Sequence, residues 1–317
     1  MTRYIANRML MMIPTLVGVA IITFFLLRVV PGDVVQVKML ADGGMVSPEA
    51  IEAERIRLWL NQPLMVQFGQ WMLGLVTLDL GRSMWTDRAV IDEIIARFPV
   101  TLEVAILATL FAVIISVPLG TISALKRGTW IDYVVRLITM GGLALPTFWI
   151  GMLLLLALLR YANWLPPINY IPIYRDPWGN LTQLMWPALV VGYRFASVLA
   201  RLIRSSLLDV LSEDYIRTAR AKGVRERTVI WVHALRNALL PAVTVIGLEF
   251  AFLIGGLVVT EQVFNLNGLG RLFIQSVMHN DFTMIQGMVM MFATIYVLAN
   301  LTVDLLYAWI DPRIRYG

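Results

Sequence analysis

Long uncharged runs set the pattern of hydrophobic and polar positions in this chain. Residues 9–27, 104–125, 137–159 and 282–303 carry no charged side chain, while 177–200 is interrupted only by Arg194 and 237–260 only by Glu249. A helical crossing of a bilayer needs about 20 apolar residues, so the pattern predicts an all-α integral membrane protein with six spans. Their expected extents are 9–31, 99–125, 137–160, 178–204, 237–260 and 282–308. The first run is longer than the apolar part of a signal peptide and is followed by Pro31-Gly32-Asp33. It therefore reads as a retained helix.

Two polar stretches between the runs are long enough to have structure of their own. Residues 32–98 begin a helical pattern at Ser47-Pro48-Glu49, with Ser47 as N-cap and Pro48 at the first helical position. A second amphipathic piece covers Val66–Val76. A small helical cap is expected here, with a passive linker as the alternative. Residues 205–236 form the second stretch. Read as helix from Glu213, Ile216, Ala219 and Gly223 fall on one small apolar face that another protein surface could approach closely. Gly223 is expected to bend the chain before a helical pattern resumes at Val224, giving an exposed elbow. On these residues alone, a basic amphipathic segment lying on anionic lipid is the alternative.

Composition strengthens the membrane reading. The 317 residues are 59% hydrophobic and 15% charged, well below the roughly 25% charged content of soluble domains, and mean hydropathy is +0.74. With no cysteine, disulfides, thiolate metal sites and cysteine nucleophiles are excluded.

The net charge of +5 has a topological pattern. Basic residues concentrate in the N-terminal segment (Arg3, Arg8), the 2–3 connection (Lys126, Arg127, Arg136), the 4–5 connection (Arg201 through Arg236) and the tail (Arg313, Arg315). By the positive-inside rule these lie in the cytoplasm with both termini. Residues 32–98 then form an extracytoplasmic cap. Since the charge is spread over loops beside the spans, it indicates orientation rather than nucleic-acid binding.

Enzymatic chemistry has little to stand on. The lysines, Lys38, Lys126 and Lys222, follow Val, Leu and Ala, so no phosphate-binding Gly-Lys pair exists. His233 and His279 lie on opposite expected sides of the membrane, and neither an HExxH motif nor a Gly-x-Ser-x-Gly elbow is present.

The segment Glu213-Asp214-Tyr215-Ile216-Arg217-Thr218-Ala219-Arg220-Ala221-Lys222-Gly223, followed by His233 through Pro241, resembles the cytoplasmic EAA loop of ABC importer permeases. It is most similar to the first-permease branch of the peptide and nickel importers. Three further segments share the resemblance: Arg8-Met9 with Ile13-Pro14-Thr15-Leu16 and Val30-Pro31-Gly32-Asp33; Glu261-Gln262-Val263-Phe264 with Gly268-Leu269-Gly270-Arg271; and Asp304-Leu305-Leu306-Tyr307 with Asp311 through Tyr316. The loop's usual glutamate is Arg217 here, its first alanine Thr218, and the later proline Arg236. The proline usual before Gly268 is Asn267.

The resemblance implies an ABC type I importer permease: an N-terminal cytoplasmic stretch at 1–8, a first span at 9–31, the cap at 32–98, and a permease core at 99–317 with its coupling loop at 205–236. It implies residence in a bacterial or archaeal cytoplasmic (inner) membrane. It also implies a second, homologous permease in a heterodimer, two ATP-binding cassette ATPase subunits that hold ATP and Mg, and an extracytoplasmic substrate-binding protein. No cofactor is expected in this chain. Asp214, Tyr215, Ala219, Ala221 and Gly223 are the expected ATPase-coupling contacts. The cargo is expected to be di- or oligopeptides, with glutathione, nickel complexes, opines or oligosaccharides as alternatives. A stand-alone secondary transporter or channel is the competing class.

Charges within spans are expensive and mark function or pairing. Glu249 and Arg194 are therefore candidates for a translocation path, or for satisfying each other or neighbouring backbone inside the bundle; Glu103 lies near the outer end of the second span. Pro14, Pro118, Pro146, Pro187 and Pro241 permit bends. Gly141-Gly142, Gly247 and Gly255-Gly256 permit close helix approach, making the fifth span the candidate contact for the second permease.

Overall fold

The computed structural model describes residues 2–29, 35, 47–57, 60–167 and 169–310. Expectations for the Val30 to Asp33 turn, Lys38 and the Asp311 to Tyr316 tail lie outside these residues. The described residues are helical apart from turns, connecting loops and one isolated bridge between Arg82 and Ala89. In chain order the helices are α1 (Thr2–Val29), α2 (Pro48–Arg57), α3 (Leu64–Thr77), α4 (Val90–Leu125), α5 (Trp130–Ala144), α6 (Thr147–Ala162), α7 (Pro177–Leu211), α8 (Asp214–Ala221), α9 (Glu226–Ala238), α10 (Leu240–Gly256), α11 (Val258–Val263), α12 (Leu269–Met278) and α13 (Phe282–Ile310).

Among the described residues, α1, α4, α7 and α13 are each long and apolar enough to cross a membrane. The other two expected spans are not single helices. The stretch expected at 137–160 is broken between α5 and α6 by a 103° bend. Pro146 is the reason: a residue before proline is driven out of the helical region, and Leu145 lies at φ −89°, ψ 134°. The stretch expected at 237–260 joins α9 to α10 with a 49° bend at Leu239, two residues before Pro241, which lacks the N–H to continue the α9 ladder. Counting each bent pair once brings the number of candidate spans to six.

The chain divides into two compact units. The first comprises residues 1–99 and 268–301. Here Ser47 Oγ accepts from Ala50 N at 3.2 Å, and α2 begins at Pro48. Arg57 donates to both Glu54 oxygens and to Asp87, which together hold its guanidinium above its ordinary pKa. Helix α3 packs on α1 through aromatic rings: Phe24 lies edge-on to Phe68 at 5.2 Å and 5.6 Å from Trp71. Arg28 donates to Gln67 at 2.9 Å. Asp281 caps α13, accepting from Met284 N at 3.1 Å and also from Met84 N and the Ser83 hydroxyl, so it anchors the 80s turn as well.

The second unit comprises residues 100–267 and 302–317. Its central element is α7, whose long buried stripe runs from Asn180 to Leu207. Helix α4 crosses α7 at Gly120, where a Cβ would sit 2.7 Å from the Ala200 carbonyl, so only glycine allows this approach. On α7, Asn180 and Gln183 hold the preceding loop: Asn180 donates to Glu103 at 2.6 Å and to the Ile171 carbonyl, and Gln183 donates to the Pro167 and Asn169 carbonyls. Burial and the adjacent Glu103 carboxylate keep the Tyr170 phenol above its ordinary pKa. Gly247 packs against Val303 of α13. The close approach it permits is thus taken up within the chain at this position.

Candidate coupling elbow and intramembrane charges

Helix α8 begins after Glu213, which is extended at φ −69°, ψ 148°, and ends in a Schellman motif. Val224 N donates to the Ala219 carbonyl at 3.2 Å and Gly223 N to the Arg220 carbonyl at 3.0 Å, while Gly223 adopts φ +76°. That left-handed conformation is costly for any residue with a Cβ. The elbow expected from sequence is therefore present, turning at Gly223. Across the turn Arg220 grips Glu226 with two bonds of 2.7 and 3.1 Å, and the bonded carboxylate keeps the Arg220 guanidinium above its ordinary pKa. Asn237 on α9 donates to the Tyr215 hydroxyl at 2.7 Å.

The orientation of α8 differs from the sequence expectation. Ile216 is fully buried, packed with Ala124, Leu207, Val229, Ala234 and Ala238, and Ala219 and Val224 pack against the same cluster. Of the small apolar face expected to meet another protein, Ile216 and Ala219 are turned inward, because an apolar cluster of this chain buries them, and Gly223 stays exposed. The outward face carries Asp214, Tyr215, Thr218 and Ala221, with Gly223 exposed and open space around its would-be Cβ. Of the expected coupling contacts, Asp214, Tyr215, Ala221 and Gly223 are thus exposed, and Ala219 is half-buried.

Beneath the elbow lies a polar latch that hydropathy alone did not single out. Asp132, in the first turn of α5, is 1% exposed. It accepts from Arg204 Nε and Nη2 at 2.9 Å each, from the Ser123 hydroxyl at 2.6 Å and from Gly128 N at 3.1 Å. Four donors, two of them from the bidentate Arg204 guanidinium, satisfy a charge that would otherwise be costly to bury. The available signal was one acidic residue in a basic connection, following Lys126-Arg127 and placed where a helix N-terminus favours an anion.

Arg194 and Glu249 do not satisfy each other: no ion pair joins them among the described residues, and Arg194 is half-buried. Glu249 Oε2 is buried without a hydrogen-bond partner. Of these intramembrane charges, Glu249 alone carries that uncompensated burial. Glu103, by contrast, is bonded to Asn180 and Tyr170.

Comparison with known proteins matches residues 116–316 to the family described as "Binding-protein-dependent transport system inner membrane component". Residues 1–105 match the N-terminal family of the same membrane components. The dipeptide transport system permease protein DppB of Alkalihalophilus pseudofirmus is 38% identical over 337 residues, covering all of both chains. The glutathione transport system permease protein GsiC of Escherichia coli K12 is 42% identical over 316 residues, again covering all of both chains. Two family matches that together take in nearly the whole chain, and relatives matched from end to end, show that the chain belongs to the family of binding-protein-dependent transport system inner membrane components.

Proposed function

We propose that this chain is a permease subunit of an ABC importer that carries di- or oligopeptides, or a peptide-like solute such as glutathione, across the cytoplasmic membrane. The observation that carries this reading is the elbow. A short helix, closed by a glycine turn and seated on a buried cluster, presents a polar outer face to a partner while its inner face is fixed to α4, α7 and α9. The names of the full-length relatives support the cargo class.

In this reading both termini and the elbow are cytoplasmic, residues 32–98 form an extracytoplasmic cap, and residues 99–317 form the permease core. A homologous second permease completes the path, a substrate-binding protein delivers cargo outside, and a pair of ATPase subunits docks on the elbow. Those subunits bind ATP and Mg and supply the hydrolysis, since this chain has no phosphate-binding loop. Asp214, Tyr215, Ala221 and Gly223 form the contact, while Ala219 sets the depth at which α8 sits. When the ATPases close, α8 moves with them, and its rigid seat carries the displacement into α7 and α4, opening the path toward the binding protein. Arg194 and Glu249 line the path as transient partners for peptide termini.

The test is ATPase activity of the co-expressed complex in lipid, with and without loaded binding protein, for wild type and Gly223→Trp. The reading requires stimulation by loaded binding protein in wild type, and its loss in a mutant that still assembles. Transport by the chain alone under an ion gradient, with no ATPase subunits co-purifying, would sink it.

A further inference from the structure

A cavity of about 320 Å³ opens between α5 and α7 beside the latch, within the lower range of ligand-sized clefts. Its walls are of two kinds. Val135, Met140 and Leu143 supply an apolar side, and Arg136 and Arg201 supply a cationic one. Arg204 also lines it, but its charge is matched by Asp132. Neither Arg136 nor Arg201 is paired with a carboxylate among the described residues, and both are exposed. The cavity therefore joins two cationic side chains not matched by a carboxylate to an apolar wall.

The rest of α5 indicates what faces this cavity. Trp130 is 73% exposed and Tyr133 60% exposed in its first turn, followed on the same stripe by Leu137 and Met140, which are also exposed. Aromatic residues at one end of an apolar helical stripe mark the depth of a membrane–water interface. Beyond Trp130 come Lys126 and Arg127, the basic turn expected on the cytoplasmic side. Arginines at interfacial depth above an apolar cleft provide the chemistry that holds an anionic lipid headgroup on the cytoplasmic leaflet.

We propose that this cavity binds one anionic phospholipid of the cytoplasmic leaflet, with its phosphate on Arg136 and Arg201 and the start of an acyl chain against Val135, Met140 and Leu143. The inference goes beyond the transport function but rests on the same membrane orientation. A lipid seated there would lie beside the Asp132–Arg204 latch and thus beside the seat of the elbow, giving membrane composition a route to the coupling region.

The test uses the full chain with the subunits that co-purify, reconstituted in phosphatidylcholine bilayers containing phosphatidylglycerol, then extracted and analysed by native mass spectrometry for retained lipid. Two interfacial arginines are expected to favour phosphatidylglycerol by about 30-fold. Arg136→Gln with Arg201→Gln should bring the preference close to that of the bulk bilayer, and Met140→Trp, which fills the apolar side and keeps both arginines, should lower retention of the lipid. Any one of three results overturns the proposal: no preference in wild type, a preference unchanged in the double variant, or displacement of phosphatidylglycerol by an equal concentration of glycerol 3-phosphate. Retention by the chain alone but none in the assembled complex also overturns it, because a protein partner then occupies the cavity. The orientation is checked separately by Arg127→Cys, the sole cysteine in such a variant. Labelling from outside only would refute the orientation itself, whereas labelling from inside without lipid preference would refute the lipid site alone.

Discussion

Replacing Arg204 by alanine is the sharpest test of what holds the elbow's foundation. The Asp132 side chain is 2% exposed and that of Arg204 22% exposed, with two contacts of 2.9 Å between them. Replacing one partner of such a pair leaves a buried carboxylate with only the Ser123 hydroxyl and Gly128 N as donors. The expected cost is about 3–5 kcal/mol, most of it the uncompensated charge rather than the net worth of the pair. Asp132→Asn keeps the shape but turns one of the two acceptor oxygens into an amide donor; it leaves no buried carboxylate behind, so it should cost less, about 1.5–3 kcal/mol. Combining Arg204→Ala with Asp132→Asn should then be less damaging than the sum, with a coupling of about 1–3 kcal/mol. The assay is equilibrium unfolding of the full chain in mixed micelles, followed by tryptophan fluorescence, across the four members of the cycle. Additive single effects would refute the reasoning, as would an Arg204→Ala midpoint equal to wild type.

Three further outcomes follow from the same geometry. Ile216→Ala empties the centre of the cluster under α8 and should destabilise by about 2–5 kcal/mol, read as a lower unfolding midpoint; an unchanged midpoint would mean the cluster is not a structural core. Gly223→Ala has room for its methyl but must hold φ +76°, so a penalty of about 1–2 kcal/mol is expected, with helix content by circular dichroism retained; a neutral effect would mean the turn relaxes. Glu249→Gln removes a carboxylate oxygen that is buried without a partner, so the unfolding midpoint should stay level or rise while cargo uptake by the complex falls; loss of stability with uptake intact would mark Glu249 as structural.

Much of the architecture was legible in the spacing of charges. The uncharged runs 9–27, 104–125 and 282–303 fall within α1, α4 and α13, and the run broken only by Arg194 falls within α7, since about 20 apolar residues are what a helical crossing needs. The elbow was legible too, because Gly223 is a residue that only a left-handed turn demands. Hydropathy could not reveal the 103° break: residues 137–159 are uncharged throughout, and only Pro146 marks where the run turns. The direction in which α8 faces was likewise beyond reach. Its apolar stripe fits an inner core and a partner's groove equally well, and what decides between them is the tertiary position of Ala124 and Leu207, distant in sequence. Asp132 and Arg204 are 72 residues apart, and no periodicity links one acid in a loop to one base on a long helix.

The latch and the cluster are consecutive layers of one support. Ser123 and Ala124 are neighbours on α4; Arg204 and Leu207 are one turn apart on α7. In each pair the first residue serves the latch and the second lies under Ile216. A force applied to α8 therefore meets apolar packing, which is dense and poorly compressible, and behind it a bidentate ion pair whose geometry tolerates little rotation. Neither layer requires α8 to be intrinsically stable, and a helix of 8 residues would be marginal alone. The contrast with Glu249 is informative. Where the chain needs stiffness both oxygens of Asp132 accept two hydrogen bonds each, and on α10 a carboxylate oxygen of Glu249 is left unpartnered. Under the proposed function that oxygen is the one left free to meet cargo, and the Glu249→Gln comparison of stability with uptake separates that role from a purely structural one.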